Sequence, residues 1–182
     1  STDKAASPIN LYGASKLLSD KLFISANNFR GSKKTCFSVV RYGNVFASRG
    51  SVALNFLKCI DSNIFDITNK EMTRFSITVK DAISFVLECL GTMRGSEVFV
   101  PKIPSYRLLD LVKAFSKKPK IRIIGMRAGE KIHEEMISIY DSRNAIECNN
   151  FYIIYPNDEL KKKGLIRLKG KSCPKNYSYS SD

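Results

Sequence analysis

"STDKAASPINLYGASK", residues 1–16, decides how the rest of the chain is read. It sets an acid and an amine side by side at Asp3 and Lys4, then places Tyr12 and Lys16 four residues apart. Ser7-Pro8 predicts a helix start, because serine can accept from free first-turn amides and proline fits the first helical position. Leu11, Ala14, Leu18, Leu22 and Ile24 recur at helical spacing, so the helix is expected to run to about Asn28 and to close at "FRGSKK". Tyr12 and Lys16 then emerge one turn apart on the same face, where a lysine ammonium beside a phenol favours the phenolate. The same spacing also suits two surface residues.

Outward from that helix, "TCFSVVRY" (residues 35–42) is a β-branched and aromatic run of the kind that forms a buried parallel strand, and "GNVFASRG" (43–50) reads as a glycine-bounded loop. Ser51 to Ile60 predicts a short helix, "MTRFSIT" a strand, "VKDAISFVLECLGTM" a strongly periodic helix and "SEVFVP" a brief strand. Arg107 to Ser116 and Glu130 to Met136 read as helices, "IRIIG" and "FYIIYP" as strands, and the lysine-rich end from Asp158 as a mobile or loosely packed tail. Helices alternating with short buried strands predict an α/β protein with a largely parallel sheet.

The chain has 182 residues, 43% of them hydrophobic, with 30 Lys+Arg against 17 Asp+Glu for a formal charge of +13. That excess suits an anionic partner, whether nucleic acid, acidic membrane or phosphorylated small molecule. The basic residues are dispersed, with runs only at Lys33-Lys34, Lys117-Lys118 and Lys161–Lys163, and no nucleic-acid-binding pattern accompanies them. They therefore read as solvated surface. Cys36, Cys59, Cys89, Cys148 and Cys173 form no CxxC pair, which points to reduced thiols in a cytoplasmic protein, with neither a disulfide frame nor a zinc site. No apolar run reaches membrane-spanning length and no signal peptide precedes the first helix.

Taken together, "STDKA…P.N.YGASK", "VVRYGNV…SRGSV", "MTRF" and "R.GEK.HE" resemble the extended short-chain dehydrogenase/reductase family. Within it they are similar to the configuration-inverting UDP-N-acetylglucosamine 4,6-dehydratase branch, over nearly the whole chain. Membrane-bound relatives commonly carry methionine where this chain has Tyr12, which favours the small soluble branch. The resemblance implies a partial Rossmann-type parallel sheet over residues 1–50, with 79–100 returning to it, and a small mixed α/β substrate-binding region in 51–182. It implies that Tyr12 and Lys16 are catalytic and hold the nicotinamide ribose, with Val45 near the nicotinamide. Asp3 and Lys4 become the acid and base of elimination. Asn44, Arg74, Arg127 and Glu130 contact the sugar nucleotide, the arginines at its diphosphate and Glu130 at its ribose. His133 is then structural, and no metal is involved. The implied cofactor is NADP, with NAD as the variant. The implied substrate is UDP-N-acetylglucosamine, and the intact enzyme would be a cytoplasmic homo-oligomer.

Nucleotide-binding proteins of this kind place a glycine-rich turn between their first strand and helix. No such segment occurs among the ten glycines, so the chain is expected to correspond to a C-terminal portion, inactive and poorly stable by itself. Two other readings stay open at this point: a 4-epimerase or retaining dehydratase of the same class, and an inactive remnant or basic anion-binding module.

Overall fold

The computed structural model describes residues 1–182. Along the chain the elements are α1 (Leu11–Ala26), β1 (Val39–Val40), β2 (Asn44–Val45), α2 (Val52–Lys58), β3 (Ile64–Ile67) and β4 (Thr73–Ile77). There follow α3 (Val79–Thr92), β5 (Val98–Pro101), β6 (Ser105–Arg107), α4 (Leu108–Phe115), β7 (Lys120–Ile123) and β8 (Glu135–Ile137). The chain ends with α5 (Ile139–Ser142), β9 (Ala145–Glu147), β10 (Phe151–Ile154), α6 (Asp158–Leu168), β11 (Lys171–Ser172) and β12 (Tyr179–Ser180). It divides into two compact units, one comprising Ser1–Tyr42, Lys80–Lys102 and Glu135–Ser180, the other Gly43–Val79, Ile103–Glu134 and Ser181–Asp182.

The first unit is built on a five-stranded sheet of order β1-β5-β10-β9-β11. Only β1 and β5 run parallel; β10, β9 and β11 are added antiparallel. The sheet is thus mixed where the sequence predicted it largely parallel. The cause is a hairpin: Asn149-Asn150 makes a two-residue connection, closed by Cys148 N–H donating to the Phe151 carbonyl at 2.9 Å, and so short a link can only return antiparallel. Phe85 and Cys89 of α3 pack with Phe99, Ile146, Phe151, Ile153 and Tyr155 to form the core of this unit. In α3 the buried Ala82, Phe85 and Cys89 show the three-to-four-residue spacing that made this helix readable.

Three further expectations change in this unit. The first helix begins at Leu11, not at Ser7-Pro8: Asn10 caps it by accepting from the Gly13 amide at 2.8 Å, and Ser7 instead adopts a positive φ of 45° in the preceding bend. Of "TCFSVVRY" only Val39–Val40 joins a ladder, because the Phe37 backbone is taken by the Asn27 side chain and the Ser96 amide. The lysine-rich end is ordered, with α6 capped by Asn157 and Cys173 buried beyond it.

The second unit has β2-β4-β6 as one sheet and parallel β3-β7 as another. Its core joins Phe56, Phe65, Ile67, Met72, Leu108 and Val112. "GNVFASRG" is therefore not all loop, since Asn44↔Ser76 and Val45↔Ile77 pair in parallel. Gly43 permits this: a Cβ there would lie 2.4 Å from Phe75 Cβ. Residues 130–134 are not helical, and Glu135 and Met136, expected to continue that helix, belong to β8 of the first unit. The backbone of 131–132 is instead held by Arg74 and by the Thr73 amide. No helix is long and apolar enough to cross a membrane.

The five cysteines are free thiols. Burial pushes Cys89 up to about 12 and Cys173 up to about 11, and raises Cys148. Because the thiolate is the nucleophile, Cys89 and Cys173 are expected to resist alkylation at neutral pH until the chain unfolds. Mass-spectrometric mapping after a short iodoacetamide pulse checks this. Rapid labelling of either residue in folded protein contradicts the burial described.

Candidate active site

Residues 1–3 run alongside β1 as an irregular extra strand. Thr2 bridges Tyr42 in parallel, and the Asp3 amide donates to the Tyr42 carbonyl at 3.1 Å. Asp3–Ala5 then forms a single 3-10 turn at the carboxyl end of that strand, the edge at which parallel α/β sheets place their ligands. Asp3 is fully buried. Its Oδ1 accepts from Thr2 Oγ1 at 2.8 Å and from Lys4 Nζ at 3.1 Å, while its Oδ2 is buried with no hydrogen-bond partner. A buried carboxylate oxygen without a donor is costly unless something else supplies one.

The Asp3–Lys4 turn lies directly against the first turn of α1, and Gly13 makes the approach possible. A Cβ at residue 13 would fall 2.5 Å from the Lys4 carbonyl oxygen and 3.0 Å from Pro8 Cβ. Gly13→Ala is accordingly expected to destabilise by about 1–3 kcal/mol, the ordinary cost of overpacking, read as a lowered thermal midpoint. A stabilising Gly13→Ala, the usual result at an open helical glycine, would contradict the close packing. The next residue back, Tyr12, is 55% exposed, and Lys16 Nζ lies 5.4 Å from its ring centroid. Asp3, Lys4, Tyr12 and Lys16 thus belong to one unit and to two segments in contact at Gly13.

Asn44, Val45, Arg74, Arg127 and Glu130 all belong to the second unit. Asn44 and Val45 form β2. The two arginines differ in what they have left to offer. Arg74 Nη1 donates to the carbonyls of Thr73 at 2.6 Å and Ile132 at 2.9 Å, and Nη2 to Met72 Sδ at 3.0 Å and the Lys131 carbonyl at 3.1 Å. Its Nε sits 3.8 Å from Glu134 Oε1. The four Nη protons are therefore all engaged by protein atoms, while Nε faces Glu134 as an ion pair. Arg127 is exposed, in a tight turn where its amide donates to Glu130 Oε2 and the Glu130 amide donates back to its carbonyl, each at 3.2 Å. His133 Nδ1 lies 2.8 Å from Thr73 Oγ1, which in turn is 2.7 Å from Ser181 Oγ, a structural chain of hydrogen bonds. No group of three or more His, Cys, Asp or Glu is placed to hold a metal ion.

Two residues essential to this geometry escaped the sequence reading. Gly13 was visible within "YGASK" but carried no signal of close approach. Arg41 is 3% exposed and pairs with Asp20 and Asp141, partners 21 and 100 residues away.

The first unit thus sets an Asp-Lys turn against a Tyr-x-x-x-Lys helix within a mixed α/β framework. Residues 1–156 match the family model described as polysaccharide biosynthesis protein, and the chain belongs to that family. It is 47% identical over 190 aligned residues to a UDP-N-acetylglucosamine 4,6-dehydratase (inverting) from Campylobacter jejuni serotype O:2, covering 100% of this chain and 57% of the relative. A UDP-glucose 4-epimerase from Rickettsia canadensis is 40% identical over 159 residues, covering 85% of this chain and 47% of that protein. Among solved structures, Pen from Bacillus thuringiensis superposes with a TM-score of 0.87 at 33% identity, covering 100% of this chain and 56% of that one. The chain therefore spans about half the length of these relatives.

Proposed function

We propose that the protein is a UDP-N-acetylglucosamine 4,6-dehydratase that inverts C5, acting in surface-polysaccharide or pseudaminic acid biosynthesis. One observation carries the reading. Asp3, buried with one carboxyl oxygen lacking a partner, is ion-paired to Lys4 and packed through Gly13 against the helix of Tyr12 and Lys16. The greater identity to the dehydratase than to the epimerase supports it.

The cofactor implied is a nicotinamide dinucleotide, NADP in the first instance. The residues present fit only its ribose end. Lys16 beside the exposed Tyr12 ring can hold hydroxyls there, whereas no glycine-rich strand-to-helix turn for a pyrophosphate occurs among residues 1–182. When bound, the nicotinamide would supply the redox chemistry, accepting a hydride from C4 and giving it back at C6. The chain's own residues handle protons. Tyr12, held as the phenolate by the Lys16 ammonium, takes the proton of the sugar 4-hydroxyl and becomes the phenol. Asp3 and Lys4 share one proton across their 3.1 Å contact, and with that proton on Asp3 the Lys4 amine is neutral and free to act as a base. A ketone at C4 acidifies the C5 hydrogen, which Lys4 then removes, while Asp3 gives up its proton as the C6 hydroxyl leaves as water. With the hydride from C4 returned to C6, reprotonation at C5 from the opposite face would give the inverted 4-keto-6-deoxy sugar.

On the nucleotide side, Arg127 has an exposed guanidinium suited to the paired oxygens of a diphosphate, with Glu130 directed to ribose hydroxyls and Asn44 to the sugar. Val45 is assigned to the nicotinamide. Arg74, its Nη donors already engaged, supports the 131–134 segment. Residues 1–50 with 79–100 are assigned to the cofactor-binding domain, and the rest of 51–182 to the substrate. Self-association is assigned to the apolar flanks left exposed by Leu18 and Leu22 on α1 and by Leu87 and Leu90 on α3. The site of action is the cytoplasm, where sugar nucleotides are made.

Proton NMR of the product formed from UDP-N-acetylglucosamine by the full-length protein tests the reaction. A new C6 methyl doublet with inverted C5 is expected. A C4 epimer that keeps its C6 oxygen would replace this reading with the epimerase.

A further inference from the structure

The helix that carries Tyr12 and Lys16 has a narrow inner face. Gly13 and Asp20 are its only fully buried residues, with Leu17 and Ile24 half-buried on the same face, while Leu11, Leu18, Leu22 and Phe23 are exposed. So thin an apolar stripe holds a helix loosely about its axis, and specific ties add to the definition of its rotation. At the N-terminal end the tie is the contact of Gly13 with the Lys4 carbonyl. At the C-terminal end it is Asn27, which exchanges hydrogen bonds with the Phe37 backbone at 2.9 Å in each direction. Between them lies Asp20, one turn beyond Lys16 and two beyond Tyr12.

Asp20 Oδ2 lies 3.3 Å from Arg41 Nη2, and both side chains are almost completely buried. Arg41 is itself fixed: its amide donates to the Phe99 carbonyl at 2.8 Å, and its Nη1 donates to the Met136 carbonyl at 3.0 Å and to Asp141 Oδ2 at 3.2 Å. Asp141 belongs to the capping box of α5, which holds it in place in turn. A planar guanidinium joins sheet, α5 and α1 in a way a lysine could not, since one ammonium cannot serve both carboxylates from fixed directions.

We propose that Arg41 is a positioning residue, which through Asp20 sets the rotation of α1 and so aims Tyr12 and Lys16. Its mechanistic meaning rests on the reading of Tyr12 and Lys16 as the catalytic pair; the geometric statement does not.

NMR of the 182-residue chain reads the geometry. Phe23 of α1 lies against Phe37 of the segment leading into β1, ring centroids 6.2 Å apart, so NOEs between the two rings report how α1 is turned against its neighbours. Arg41→Met and Asp20→Asn are expected to abolish those NOEs, while Asp141→Asn, which removes only the other carboxylate, retains them. If either of the first two fails to fold, Arg41→Lys is read in the same way and should weaken them. Unchanged ring-to-ring NOEs in every folded Arg41 and Asp20 variant, or equal loss in Asp141→Asn, overturn the proposal. Turnover by the full-length protein is read separately. Asp20→Asn should lower kcat about 10²-fold, as misplacement of a reacting group by an ångström does, and leave KM unchanged. If the Phe23–Phe37 contact is lost and kcat does not change, Arg41 still orients the helix, and it is the catalytic reading of Tyr12 and Lys16 that fails.

Discussion

Tyr12→Phe in the full-length protein is expected to lower kcat by about 10²–10⁴-fold, the range supplied by a positioned proton-transfer group, with KM for the sugar nucleotide little changed. The phenol oxygen is the only atom removed. Tyr12 is more than half exposed, so the loss has no structural route: thermal stability should stay within about 0.5 kcal/mol of the parent. Steady-state kinetics alongside thermal unfolding separate the two quantities. A kcat within tenfold of the parent would remove Tyr12 from the chemistry. The neighbouring Lys16 Nζ lies 5.4 Å from the ring centroid, and in the proposed mechanism its part is electrostatic and directed at the phenolate.

Arg74→Met is expected to destabilise the second unit by about 3–5 kcal/mol, the cost of breaking a buried ion pair from one side. The substitution removes the cation facing Glu134, whose side chain is 5% exposed, and strips donors from the Thr73, Lys131 and Ile132 carbonyls at once. Out of a total folding stability of about 5–15 kcal/mol, that is a large share. Arg74→Lys should recover little of it, because an ammonium carries three protons at one point where the guanidinium spreads five. Denaturant unfolding with hydrogen exchange at β4 and β6 measures the effect. A change below about 1 kcal/mol would show that the 131–134 segment is held by something other than Arg74, and would return this arginine to the nucleotide.

Those two arginines show where sequence reasoning ends. "MTRF" and "MRAGEK" each present an arginine, and nothing local tells that both Nη groups of Arg74 are engaged by protein atoms while Arg127 is exposed. The difference arises from a segment almost 60 residues away folding back onto Arg74. α3 and β4 were legible because their burial follows a simple period: Ala82, Phe85 and Cys89 for the helix, alternation along Thr73–Ile77 for the strand. Glu130 to Met136 was read as a helix because its charged residues tolerate one, but tertiary hydrogen bonds to β4 outweigh that weak propensity. The α5 turn has only four residues, too short for any period, and only its Ser138–Asp141 capping box marks it. In α6 the charge that suggested a tail covers a helix whose Gly164 lets the Tyr155 ring pack against it. The order of Asp3, Lys4, Tyr12 and Lys16 was plain in the first sixteen residues. What brings the two pairs together, the missing Cβ of Gly13, became visible only in three dimensions.

The most direct measurement is turnover of UDP-N-acetylglucosamine by the full-length protein in deuterium oxide, with the product read by NMR and mass spectrometry. One deuterium at C5 is predicted for the parent protein, with both deuterium incorporation and water loss abolished in Asp3→Asn and in Lys4→Met. A product without deuterium at C5, or unimpaired incorporation in both variants, would contradict the assignment of Asp3 and Lys4 as the acid and base of elimination.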